Sequence, residues 1–139
     1  MAVQIDILYQ GGLRCGAVHG PSKQTLETDA PVDNGGKGAA FSPTDLVAAA
    51  LGTCMATIMG IVAQRHQLDL EGLSVQVSKE MVADPVRRIG ALNTRLVFPR
   101  GKGYSGPDRA RLEAAARTCP VKQSLHPEVK VTLEFVYPQ

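Results

Sequence analysis

Residues 42–66, SPTDLVAAALGTCMATIMGIVAQRH, decide the fold. Ser42 is a helix N-cap, Pro43 suits the first helical position, and Asp45 stands three residues after the cap as a capping-box acid. The shorter Asp in place of Glu leaves that box imperfect. A helix then runs from about Pro43 to Gln67, with Arg65 and His66 near its negative end. Its middle is apolar on every face, so it must be covered on all sides. One small sheet covers one side, and a second subunit is the expected cover for the other. The run from Leu46 to Ala63 is short for a bilayer span, rich in Ala and interrupted by Gly52, Gly60, Thr53 and Thr57. It reads as a buried helix with no membrane role.

Working outward, strands precede and follow this helix. Residues 3–9 alternate apolar and polar, Gly11-Gly12 breaks the run, and short strands follow over 13–18 and 24–28. Residues 33–38, DNGGKG, form a flexible loop before the helix. Beyond Gly72, strands are expected over 73–82 and 91–98. A second helix follows over 107–118, capped at Ser105 or Gly106. Cys119-Pro120 opens a short helical turn to Leu125, and a last strand covers 129–137. The order gives an α+β fold, a single domain over residues 1–139 without repeats or linker.

Composition narrows the function. The 139 residues carry a net charge of only +2, with Lys and Arg scattered, and contain six aromatics with no Trp. Neither a phosphate-binding surface nor a stacking platform is present, so no nucleic-acid partner is expected. The N-terminus lacks the pattern of a signal peptide, which makes the expected location cytoplasmic. Three cysteines, Cys15, Cys54 and Cys119, form no CxxC and have no His at ligand spacing, so no metal site is expected.

Each cysteine is therefore either a reactive thiol or an inert one. Cys54 lies mid-helix, where burial alone would raise its pKa, and it becomes a nucleophile only beside a cation. His66 is twelve residues along the helix, about 18 Å away, which leaves Arg14 as the candidate. Without a cation, Cys54 is a small core hydrophobe. Cys119 precedes a Pro, where N-caps occur, so backbone N–H groups and the charges of Arg117 and Lys122 would favour its thiolate. The alternative is an end-of-helix cysteine with no task. Cys15 reads as an incidental thiol.

The segment Ser42-Pro43-Thr44-Asp45-Leu46, followed by Ala48-Ala49-Ala50-Leu51-Gly52-Thr53-Cys54-Met55, resembles the central-helix motif of the OsmC/Ohr family of hydroperoxide reductases. Cys119-Pro120-Val121, 65 residues after Cys54, resembles that family's second motif. The resemblance implies an OsmC-like fold, with antiparallel sheets wrapped around a long central apolar helix in an intertwined homodimer. It further implies active sites at the dimer interface, Cys54 as the peroxidatic cysteine and Cys119 as the resolving one. Arg14 would be the catalytic cation. No bound cofactor is implied; the reductant is an external dithiol or a lipoylated protein, and the substrate is an organic hydroperoxide.

Two positions depart from the pattern. Where the family carries a Glu after the Pro, to pair with its Arg, this chain has Thr44. Asp45 is next along but already has a capping role. Arg14 also follows Gly11-Gly12 with Leu13 interposed. Thr44 and Asp45 are therefore auxiliary candidates only. Two other functions stay open: a non-catalytic OsmC-like protein that binds a hydrophobic small molecule, and a redox-sensing thiol protein.

Overall fold

A computed structural model describes residues 1–139. The elements are β1 (Ile5–Gly11), β2 (Arg14–His19), β3 (Thr25–Asp29), a one-turn 3-10 helix (Val32–Asn34), α1 (Pro43–Arg65), β4 (Ser74–Val82), β5 (Arg88–Val97), α2 (Gly106–Arg117), α3 (Pro120–Ser124) and β6 (Lys130–Val136). The chain falls into two compact units, Met1–Val47 and Ala48–Gln139, with the boundary inside α1.

The first unit is built on an antiparallel sheet in the order β1-β2-β3. Gly12 (φ 61°) and Leu13 (φ 66°) form a two-residue turn with both residues left-handed, the geometry that matches the twist of a hairpin. The strand register shifts between Tyr9 and Gly11, and Gly11 pairs with Arg14. The interposed Leu13 is thus absorbed by the turn, and Arg14 is the first residue of β2 rather than part of the turn.

The segment after β3 is held more firmly than its glycines suggest. Gly36 N–H donates to the Pro31 carbonyl (3.0 Å) and Gly38 N–H to the Ala30 carbonyl (3.2 Å). A Cβ on Gly36 would stand 1.8 Å from the Ala30 carbonyl oxygen, so only glycine fits. The expected flexible loop is a tied one. At the start of α1 the capping box closes in both directions: Asp45 N–H donates to Ser42 Oγ (3.1 Å), and Ser42 N–H donates to Asp45 Oδ2 (2.9 Å).

The second unit packs α1 against a sheet in the order β4-β5-β6. β4 and β5 are antiparallel, whereas β5 and β6 run parallel. The second sheet is thus mixed, within the expected α+β fold of sheets around a long apolar helix. The chain between β5 and β6 contains α2 and α3, and a helical crossover of that length returns the chain in the same direction.

Leu51, Met55 and Met59 form one stripe of α1 and are fully buried with Leu92 and Leu96 of β5, Phe98 and Leu112 of α2. Gly52 lets the helix lie close on β4, since a Cβ there would stand 3.0 Å from Val77 Cγ2 and 3.3 Å from Val75 Cγ1. The opposite face of α1, including Thr53, Thr57 and Ile61, is exposed. By length and composition α1 could cross a membrane, and a third of its most apolar window is buried inside the protein.

Candidate dithiol site

Cys54 sits at the middle of α1, half-buried and packed against the core. Cys119 is fully buried at the N-cap of α3. The helix α2, capped by Ser105 and closed at Thr118, delivers Cys119 to this place. Pro120 then starts the next turn with φ already suited to helix. Both cysteines are free thiols, and Cys54 stands close enough to Cys119 to raise the pKa of its thiol. Two residues 65 positions apart in sequence therefore meet in one unit.

Burial pushes the Cys119 thiol up from its ordinary pKa, and the neighbouring Cys54 pushes it further. The backbone N–H groups of Lys122 and Val121 pull the other way and lose. The Lys122 N–H lies 3.4 Å from Cys119 Sγ. Cap geometry was expected to favour the thiolate; the cap is present, but desolvation outweighs it. Of the two expected charges, Arg117 lies over the Phe135 ring, 5.2 Å from its centroid. Lys122 contributes its backbone N–H.

Arg14 belongs to the first unit, and its surroundings there differ from those the sequence suggested. One terminal nitrogen of Arg14 pairs with Glu27 Oε2 at 3.3 Å. Arg14 stands directly opposite Asp29 in the β2–β3 ladder. Asp29 is 1% exposed, and its Oδ2 accepts from the Ala39 N–H at 3.0 Å. That bond, with the nearby Ala30 and Lys37 N–H groups and the charge of Arg14, holds its carboxyl below the usual range against the opposing effect of burial.

Of the auxiliary candidates, Asp45 is engaged with the Ser42 backbone, and the Thr44 hydroxyl lies 3.2 Å from Ser42 Oγ. The acids beside Arg14 come from β3, and sequence reading missed them. The signal was present: Glu27 and Asp29 share a strand face with period two. Cys15 lies in β2 opposite Tyr9 and Thr28, away from the thiol pair in sequence and unit. No group of three or more His, Cys, Asp or Glu is arranged to hold a metal.

A buried dithiol joining the middle of a long apolar helix to the cap of a short one, in an α+β chain, defines the class as a thiol protein of OsmC-like architecture. Residues 35–134 match the family model described as OsmC-like protein. The chain belongs to that family.

Among solved structures, it is similar to a protein of Psychrobacter arcticus 273-4, provisionally described as an osmotic stress induced and detoxification response protein. That match has 40% identity, covers 94% of this chain and 93% of the other, and has a TM-score of 0.88. The organic hydroperoxide resistance protein OsmC of Legionella pneumophila shares 20% identity over 98% and 97% of the two chains, with a TM-score of 0.77. The organic hydroperoxide resistance protein OhrB of Bacillus subtilis shares 17% identity over 97% and 98%, with a TM-score of 0.68. At these lower identities the likeness is one of fold. No curated protein matches the chain.

Proposed function

We propose that the protein is a thiol peroxidase that reduces organic hydroperoxides, with Cys54 as the peroxidatic and Cys119 as the resolving cysteine. The observation that carries this reading is that Cys54 packs on the core that holds Cys119 and raises the pKa of its thiol, which makes the two sulfurs neighbours. A sulfenic acid formed on Cys54 would have a second thiol already beside it, which is what resolution before over-oxidation requires.

The Cys54 thiolate attacks the distal oxygen of ROOH. The O–O bond breaks, ROH leaves with a proton, and Cys54 becomes a sulfenic acid. The Cys119 sulfur then displaces hydroxide from it, forming the Cys54–Cys119 disulfide with release of water. An external dithiol, small or lipoyl-bearing, reduces the disulfide and is itself oxidised. Arg14 is the catalytic cation of this scheme, as the family resemblance implies. Apolar surroundings favour a greasy R group over hydrogen peroxide. No bound cofactor or metal takes part.

The protein acts as a homodimer in this reading. All seven residues of β1 are exposed, including Ile7 at 69% and Leu8 at 70%, as is the Thr53-Thr57-Ile61 face of α1. Apolar surface of that kind calls for a cover, and a second copy supplies one. The chain is read as soluble and cytoplasmic, with α1 a core helix. The competing reading, a non-catalytic binder of a hydrophobic molecule, draws on Thr44 standing where the family has a Glu.

Consumption of cumene hydroperoxide with a dithiol reductant separates the two. Turnover that vanishes in Cys54→Ser is expected; negligible turnover, unchanged in Cys54→Ser, leaves the binding reading. Mass spectrometry after one equivalent of peroxide should find a Cys54–Cys119 disulfide. Over-oxidised Cys54 with Cys119 still free would remove Cys119 from its role.

A further inference from the structure

Two buried side-chain polar atoms in the chain have no hydrogen-bond partner, Arg14 Nε and Asp29 Oδ1. One is a cationic donor and the other an anionic acceptor. They lie on residues that face each other directly across the β2–β3 ladder, and facing side chains in an antiparallel pair project from the same side of the sheet. Glu27 is two residues from Asp29 along β3, so it shares that side, and it already binds a terminal nitrogen of Arg14.

We propose that Asp29 is a positioning residue for Arg14, taking its Nε–H on Oδ1 while Glu27 holds the terminal nitrogen, so that the guanidinium is fixed from two sides. The inference rests on the reading of Arg14 as the functional cation. It supplies from β3 the carboxylate that α1 lacks at Thr44.

Asp29 is suited to the task because it is itself immobilised. Its Oδ2 is bound by the Ala39 N–H, and its backbone N–H donates to the Phe41 carbonyl at 3.2 Å. The neighbouring Ala30 N–H donates to the Leu13 carbonyl at 3.2 Å, which ties β3 to the turn that leads into Arg14. A carboxylate held this way has one oxygen spent on the loop and one left for a cation. An orphaned buried charge is costly, and a bond between these two atoms would remove both orphans together.

The test uses full-length reduced protein and two readouts. In 15N-labelled wild type, the Arg14 Nε–H resonance, assigned by its loss in Arg14→Lys, should exchange slowly. It should also show a through-hydrogen-bond coupling to the Asp29 carboxyl carbon. In Asp29→Asn, whose amide oxygen can keep the Ala39 bond, that resonance should move to the exposed-arginine position and exchange fast. The coupling is read on wild type, so its absence overturns the proposal whether or not the variant folds.

The kcat/KM for cumene hydroperoxide should fall at least tenfold in Asp29→Asn, toward the ~10²-fold that misplacing a reacting group can cost. Asp29→Asn combined with Arg14→Lys should lose no more than Arg14→Lys alone. Losses that multiply would mean that Asp29 acts apart from Arg14, and the proposal falls. If the resonance moves as expected but wild type consumes no peroxide, the positioning stands and the peroxidase reading fails.

Discussion

The two sheets have three strands each and very different surroundings. In β4-β5-β6, alternate residues turn onto α1 and α2, and Leu92, Thr94 and Leu96 are buried. Even the polar Thr94 is satisfied, its hydroxyl donating to the Thr132 carbonyl at 2.6 Å. In β1-β2-β3, only Thr28 and Asp29 at the end of β3 are buried, while Ile5, Ile7, Leu8, Tyr9 and Leu26 face outward. Burial serves the two units in opposite ways. The second unit packs the thiol pair into a core that its own chain completes. The first unit fixes a charged residue, and its apolar strands await a cover.

The largest effect expected from breaking this contrast is chemical. Cys54→Ser should lower peroxide turnover by roughly 10³-fold or more, because a serine hydroxyl is not ionised at neutral pH. An equivalent change at Cys15, in the exposed sheet, should leave the rate unaltered in the same assay.

Next comes stability. Leu51→Ala should destabilise by about 2–5 kcal/mol in chemical denaturation, as expected for a fully buried leucine in a packed core. Ile7→Lys on β1 should cost less than about 0.5 kcal/mol if that strand stays in water. If a second copy covers it, the same variant should convert a dimer to a monomer in light scattering. A monomeric wild type would instead show that the sheet has no such cover.

A smaller effect concerns pH. The folded Cys119 pKa lies above the ordinary thiol value of 9.0 because of burial and the neighbouring Cys54. Its contribution to stability is therefore fully present below the unfolded pKa and is lost as pH rises through the folded one. Cys119→Ser keeps an N-capping atom but does not titrate there. Its melting temperature should fall less steeply above pH 9 than that of wild type. The smallest effect is local: Ser42→Ala, which removes one arm of the capping box, should cost about 1 kcal/mol.

Much of the fold was legible because its signals are local. The Ser42-Pro43-Thr44-Asp45 start fixes where α1 begins, and the box forms with Asp as the sequence suggests. Alternation in residues 74–82 and 130–136 marks β4 and β6, and Ser105 marks the start of α2. The parallel pairing of β5 with β6 was not legible, since strand direction depends on how the intervening helices pack. Gly35, Gly36 and Gly38 suggest mobility across residues 33–38. Yet the backbone of Ala30 approaches Gly36 so closely that the loop is tied down.

The candidate site divides along the same line. The sequence by itself determined which residues can do thiol chemistry: one cysteine inside an apolar helix and one before a proline, in motifs that resemble a known family. Those are properties of residue type and local spacing. Tertiary structure decided that Cys54 and Cys119 are neighbours, that burial outweighs the cap and raises the Cys119 thiol, and that the acids beside Arg14 come from β3 instead of α1. Each of these depends on desolvation or on cross-strand neighbours, and neither quantity exists until the chain has folded.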